Sequence, residues 1–227
     1  FVPLMAPLVL LMGAAPLARW KAASLADMGR ALRWPALASS AAALTLPWAA
    51  GGLGAGVALG LGLAAWVFTS TAALLLQRSR GGLAQLGHAS RSFWGMVAAH
   101  VGVGVFIVGV TMVRGYETER DVLMAVGDHV ELAGYRFTLR AVGETNGPNY
   151  IALRAQVQVQ GPRGAPFLMS PEKRLYKARQ MPMTEAAIDA GPTRDLYVAL
   201  AEPRDANTWT VRIYHKPFVD WIWGGTA

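Results

Sequence analysis

His100 stands in the middle of an uncharged run, Ser92 to Val113. A titratable ring in hydrocarbon persists only with a partner for its nitrogens, so an intramembrane histidine is a functional residue by default. Haem iron, a quinone head group and a proton path all accept an imidazole at such a place. The bland alternative is a neutral ring hydrogen-bonded to a neighbouring helix. The other three histidines sit in ordinary settings. His88 lies in a basic loop, His129 follows Asp128 at a strand start, and His215 precedes Lys216 and Pro217; each reads as a solvated surface residue. There is no cysteine, which excludes thiolate chemistry and Cys-ligated metals. Since no second base or acid lies inside an apolar run, any further ligand for a metal at His100 is expected from outside the chain. No phosphate-cradling glycine loop, Ser/His/Asp grouping or HExxH helix appears.

Helical geometry sharpens the reading of His100. At about 100° per residue, Phe93, Met96, Val103, Gly104, Ile107 and Thr111 share its face, while Gly95, Gly102 and Gly109 line the opposite side. One face is suited to close helix packing and the other to presenting a ligand. Gly104, one turn beyond His100, leaves room for a flat ring beside the imidazole.

The elements that position this residue follow from composition. The chain is 53% hydrophobic and 15% charged, against about a quarter charged for a soluble domain. Residues 1 to 113 hold seven bases and a single acid, Asp27, whereas residues 114 to 227 hold fourteen bases and thirteen acids. The bases of the first half (Arg19, Lys21, Arg30, Arg33, Arg78, Arg80, Arg91) fall only between apolar runs. That is the positive-inside pattern and not a nucleic-acid footprint. Apolar runs at 2–18, 35–50, 53–77 and 92–113 predict about four transmembrane helices. The second is shortened by Pro35 and Pro47, and Gly56 and Gly60 in the third have small-xxx-small spacing. Loops 19–34 and 78–91 are then cytoplasmic, and everything from Arg114 onward is delivered to the outer side.

Beyond Arg114 the period changes to two. Ile151, Leu153, Ala155, Val157 and Val159 alternate with Arg154, Gln156 and Gln158; Tyr135, Phe137, Leu139 and Ala141 share a face, as do Trp209, Val211 and Ile213. Turn clusters at Asn146 to Asn149 and Gly161 to Gly164 separate the strands. The expected fold is a membrane α-helical bundle over 1–113, then an all-β antiparallel sandwich or barrel-like extracytoplasmic domain over 114–220. Residues 221–227 open a last transmembrane helix. The bases of Pro171 to Tyr176 read as a solvated strand face, or as a partner for acidic groups.

Several blocks in order carry a resemblance: Phe93 to Gly102 (FWGMVAAHVG), PEKRLY at 171–176, TEAAID at 184–189, DLYVAL at 195–200 and YHKPFVDWIWGG at 214–225. Together they resemble the C-terminal part of the CcmF family of cytochrome c-type biogenesis proteins, over nearly the whole chain. The resemblance implies a bacterial inner-membrane haem lyase that joins haem to apocytochrome c on the periplasmic side. It implies haem delivery by the chaperone CcmE and a partnership with CcmH. It also implies that His100, in its WGMxxAHxG context, is an axial ligand of haem b iron. The family's tryptophan-rich haem segment, its two outer histidines and its other transmembrane ligand are expected before Phe1, and the last span after Trp223. Without that segment the chain is not expected to perform ligation alone. Two readings of other classes remain: a permease-type subunit, which should show charged or broken helices at the midplane, and a membrane scaffold whose outer domain docks partners.

Overall fold

The computed structural model describes residues 2–17, 24–52, 54–82, 84–178, 181–205 and 207–227. They form two compact units, Phe1–Gly115 with Phe218–Ala227, and Tyr116–Pro217.

The first unit is helical: α1 (Val2–Ala14, continued by a 3-10 turn Ala15–Leu17), α2 (Leu25–Ala49), α3 (Ala55–Ser79), α4 (Ala84–Gly87), α5 (Arg91–Tyr116) and α6 (Val219–Gly224). Among the described residues, α3 and α5 are the helices long and apolar enough to cross a membrane, with 25 and 26 residues. At 1.5 Å per residue each reaches about 38 Å, beyond a hydrocarbon core of about 30 Å. Helix α1 is apolar but shorter.

Helix α2 departs from the sequence expectation. It begins well before Pro35, at Leu25, so residues 25–34 are helix and not loop; the expected loop bases Arg19 and Lys21 lie outside the described residues. The cause is a local cap: Ser24 Oγ accepts from the Asp27 amide at 3.0 Å, satisfying an end donor. Pro35 and Pro47 lie inside this helix and do not end it. A proline deletes one amide donor, and α2 packs extensively against α3. Thr69 Oγ1 of α3 reaches the Pro35 carbonyl at 3.4 Å, and Gly62 lets α3 approach so closely that an added Cβ would lie 3.0 Å from Ala43 Cβ.

Small residues set the other helix contacts as well. A Cβ at Gly60 would meet Thr111 Cγ2 at 2.7 Å, and one at Gly104 would meet Phe68 Cε1 at 2.6 Å. Gly56 has nothing within 4 Å, so the close approach runs through Gly60 and Gly62 and not through the Gly56/Gly60 pair. On the opposite side of α5, Gly102 and Gly109 admit α6, with Gly225 O and Ile222 N 2.6 and 2.7 Å from the added Cβ positions. Gly102 and Gly109 therefore serve tight packing, whereas Gly95 has nothing within 4 Å, and the His100 face turns to α3.

The second unit is antiparallel throughout. One sheet has the order β1 (Thr118–Ala125), β10 (Thr208–Pro217), β9 (Arg194–Pro203), β8 (Ala187–Asp189). The other runs β2 (His129–Leu132), β3 (Tyr135–Asn146), β4 (Tyr150–Gln160), β6 (Glu172–Tyr176), β7 (Pro182–Glu185), with β5 (Phe167–Met169) also on β4. The sheets remain open, a sandwich and not a closed barrel. Phe137, Leu139, Val157, Val159, Leu196, Val198, Leu200, Val211 and Ile213 make its fully buried core.

Two positions break the expected alternation. The β3–β4 register shifts between Leu139 and Ala141, which turns Ala141 outward and packs Val142 against the core. An extra residue at a bulge reverses the facing of every residue after it. Ile151, expected inside, is 43% exposed at the far end of β4.

Candidate functional site

His100 lies nine residues into α5, about 14 Å along the helix from Arg91. Its ring is half-buried where α5 meets α1 and α3. Nδ1 is 2.8 Å from the Met96 carbonyl one turn back, and Nε2 is 3.2 Å from the Met12 carbonyl of α1. Both neighbours are acceptors, and a neutral imidazole has one N–H. With the proton on Nδ1, the Nε2 lone pair would face the second oxygen. A backbone acceptor on Nδ1 is the arrangement that fixes the tautomer of metal-binding histidines, with Nε2 as the ligating atom.

The cleft beside the ring is lined by Gly13, Pro16, Ser70, Thr71, Leu74 and Met96 and has no room for a water molecule. Ser70 Oγ donates back to the Val67 carbonyl at 3.1 Å. Thr71 is 5% exposed, and its Oγ1 is one of two buried side-chain polar atoms with no hydrogen-bond partner among the described residues. Helix α1 is held here by Trp66 Nε1, which donates to the Leu10 carbonyl at 3.0 Å, and by the close seating of Gly13 against Trp66 and Ser70. Gly104 stands one turn further on, where the flat ring beside it is that of Phe68.

The other histidines are dispersed. His88 is exposed after α4, and His129 is exposed at the start of β2. His215, expected as a solvated residue, is half-buried. Its Nδ1 is the second unpartnered buried atom, and burial together with the nearby Arg194 cation pushes its pKa down. Its ring lies 6.2 Å from Tyr135, whose hydroxyl accepts from Arg194 Nε at 3.0 Å. Among the described residues no three His, Cys, Asp or Glu side chains cluster as a metal site.

Sequence reasoning missed the network around Glu172, which is a buried residue and not part of a solvated face. Its carboxylate is 5% exposed and accepts from Arg174 Nε at 2.7 Å and Arg154 Nε at 2.5 Å. The Arg174 guanidinium, helped by Arg154 and opposed by burial, holds the Glu172 pKa below its ordinary value. A depressed carboxylate stabilises the fold fully above its unfolded pKa and loses that contribution as pH falls through the folded value. Acid unfolding of the β unit should therefore begin below about pH 4.5, the unfolded glutamate range. Glu172→Gln should flatten the acid limb of a pH–stability curve and lower the neutral-pH plateau.

Two helices long and apolar enough to cross a membrane, one carrying a half-buried imidazole, are joined in sequence to an open antiparallel sandwich, the plan of an integral membrane protein with a separate β domain. Residues 115–217 match the family model described as the CcmF C-terminal beta-sandwich. The cytochrome c-type biogenesis protein CcmF of Escherichia coli (strain K12) is 41% identical over 99% of the chain and 34% of its own length. The Pseudomonas fluorescens protein of the same name is 39% identical over the same shares. A solved structure titled Cytochrome c Heme Lyase CcmF shares the fold at a TM-score of 0.78 and 19% identity, over 99% of this chain and 37% of that one. The chain belongs to the CcmF family and spans about a third of the length of the curated relatives it matches. It is accordingly a bacterial inner-membrane protein whose β domain is periplasmic.

Proposed function

We propose that the chain is part of a cytochrome c haem lyase that attaches haem covalently to apocytochrome c on the periplasmic side. In this reading His100 is an axial ligand of a haem b within the membrane. The observation that carries it is the Nδ1 contact with the Met96 carbonyl at 2.8 Å, the arrangement in which Nε2 serves as the ligating atom of a metal-binding histidine. The orphaned Thr71 hydroxyl in the same cleft adds a buried polar atom that calls for a partner. The donor chemistry thus fits a haem iron. The cleft does not hold a macrocycle while the Met12 carbonyl of α1 stands against Nε2. When bound, the haem supplies a one-electron centre. The chain's own residues orient the imidazole through Met96 and leave no room for water in the cleft beside it, and one turn on Gly104 admits the Phe68 ring of α3.

Helices α1 and α2 complete a set of four spans with α3 and α5, giving a membrane part over 1–113, a periplasmic part over 114–220 and a last span opening at 221–227. The haem chaperone CcmE, CcmH and apocytochrome c are the proposed partners, a reading supported by membership of a family named for cytochrome c biogenesis. The second reading, a membrane scaffold with His100 buried and neutral, is favoured by one contact, Nε2 to the Met12 carbonyl at 3.2 Å. The test is complementation of a strain lacking its own CcmF by the full-length gene, measured as holocytochrome c by haem stain. His100→Ala should lower holocytochrome c at least about tenfold, the scale of one lost metal ligand or its support, and His129→Ala should leave it unchanged. Equal yields from the two variants would sink the lyase role of His100.

A further inference from the structure

The connection between α3 and α5, cytoplasmic in the proposed topology, is built differently from an ordinary charged loop. It presents Arg78, Arg80 and Arg91, all exposed, and no acid occurs anywhere from Met28 to Tyr116. Arg30 by contrast is paired with Asp27 at 2.5 Å. An open cavity of about 360 Å³ lies at this place, lined by Gln77, Arg78, Gln85 and His88. Among the described residues every lining side chain is polar, and none is anionic.

The backbone turns sharply beside that cavity. Helix α3 stops at a turn in which Gly82 takes a φ of +112°, and its amide donates to Ser79 O at 2.8 Å. The Gln85 amide group folds over Gly81, where an added Cβ would lie 2.6 Å from Gln85 Cδ. A side chain at Gly81 would therefore displace Gln85 from the rim. The Arg78 guanidinium is held over the Phe93 ring, 4.7 Å from its centroid, and Phe93 meets Trp94 edge-on at 5.7 Å. Stacking fixes the plane of the guanidinium and leaves its N–H edge free to donate. Trp94 is 43% exposed; an aromatic pair beside arginines at the end of a span is the composition of a bilayer interface.

We infer that this cavity binds a phosphate group, the headgroup of an anionic phospholipid of the cytoplasmic leaflet. The guanidinium edge of Arg78 matches two phosphate oxygens, the Gln85 amide and the His88 ring offer further donors, and Arg80 and Arg91 add the field that draws an anion to this surface. The location at the ends of α3 and α5 favours a lipid over a free anion, because the acyl chains then lie along apolar helix faces. This inference is independent of any haem at His100.

The test uses the purified full-length protein in detergent, with lipid retention read by native mass spectrometry after addition of phosphatidylglycerol or phosphatidylcholine. The wild type should retain phosphatidylglycerol in preference to phosphatidylcholine. Arg78→Gln should weaken that retention about tenfold, the scale of one lost charge-assisted hydrogen bond. Phe93→Leu keeps every charge that sets topology and should weaken it by a smaller factor, about threefold, through lost stacking. Arg30→Gln should leave it unchanged. A parallel titration with inorganic phosphate separates the sources: displacement of lipid at millimolar phosphate, or phosphate binding without lipid, assigns the site to the free anion, and lipid that resists phosphate assigns it to the headgroup. Equal retention of the two lipids, or equal phosphatidylglycerol retention in wild type, Arg78→Gln and Phe93→Leu with no phosphate bound, overturns the inference.

Discussion

Full-length protein carrying His100→Ala is expected to lose essentially all of a reduced low-spin haem b absorbance, while His129→Ala keeps it. In the proposed reading the effect is large because an iron–imidazole bond would have no substitute in an apolar helix. His100 is the only histidine between Ser92 and Val113, and the described residues bring no metal-binding cluster to its side. His100→Gln separates the two readings of the site. Glutamine keeps a donor for a backbone carbonyl, so a merely structural role at Met96 or Met12 survives it, whereas an axial ligand does not. A band that persists in both the alanine and the glutamine variants leaves the scaffold reading standing.

Phe137→Ala is expected to cost the periplasmic unit about 3–5 kcal/mol, the range for removing a buried aromatic ring. Phe137 is fully buried, at 0% exposure. It pairs with Val130 on β2 and Val159 on β4, so its removal opens a cavity that two strands must close. Domains are stable by about 5–15 kcal/mol, and the loss is a large share of that. Hydrogen exchange on the full-length protein reads it directly: amides of β3 and β4 should exchange far faster. Leu168→Ala, at a residue 60% exposed, should change them little. Unchanged protection in Phe137→Ala would mean that the sandwich core lies elsewhere.

The spans at 53–77 and 92–113 were legible because a membrane helix is a statement about a continuous window of side chains, and α3 and α5 fall on those windows. The strands were legible for a similar reason, since alternation along Tyr150 to Gln160 is a local pattern that meets its core at Ala155, Val157 and Val159. The start of α2 lies in the Ser24 and Asp27 spacing, a cap signal that the placement of 19–34 as a loop did not use. The outward turn of Ala141 had no such local mark, because a bulge is set by the strand alongside.

What the sequence determined by itself is thus the order of elements, their periods and the presence of one imidazole at membrane depth. Only the tertiary structure decided what that imidazole faces: a carbonyl 88 residues away in sequence, an orphaned threonine on α3, and, for Glu172, two arginines in place of solvent. The reason is physical. Hydrophobic period is a property of neighbouring residues, whereas the partner of a buried polar atom depends on which distant segments pack together, and no pattern along one strand or helix encodes that choice.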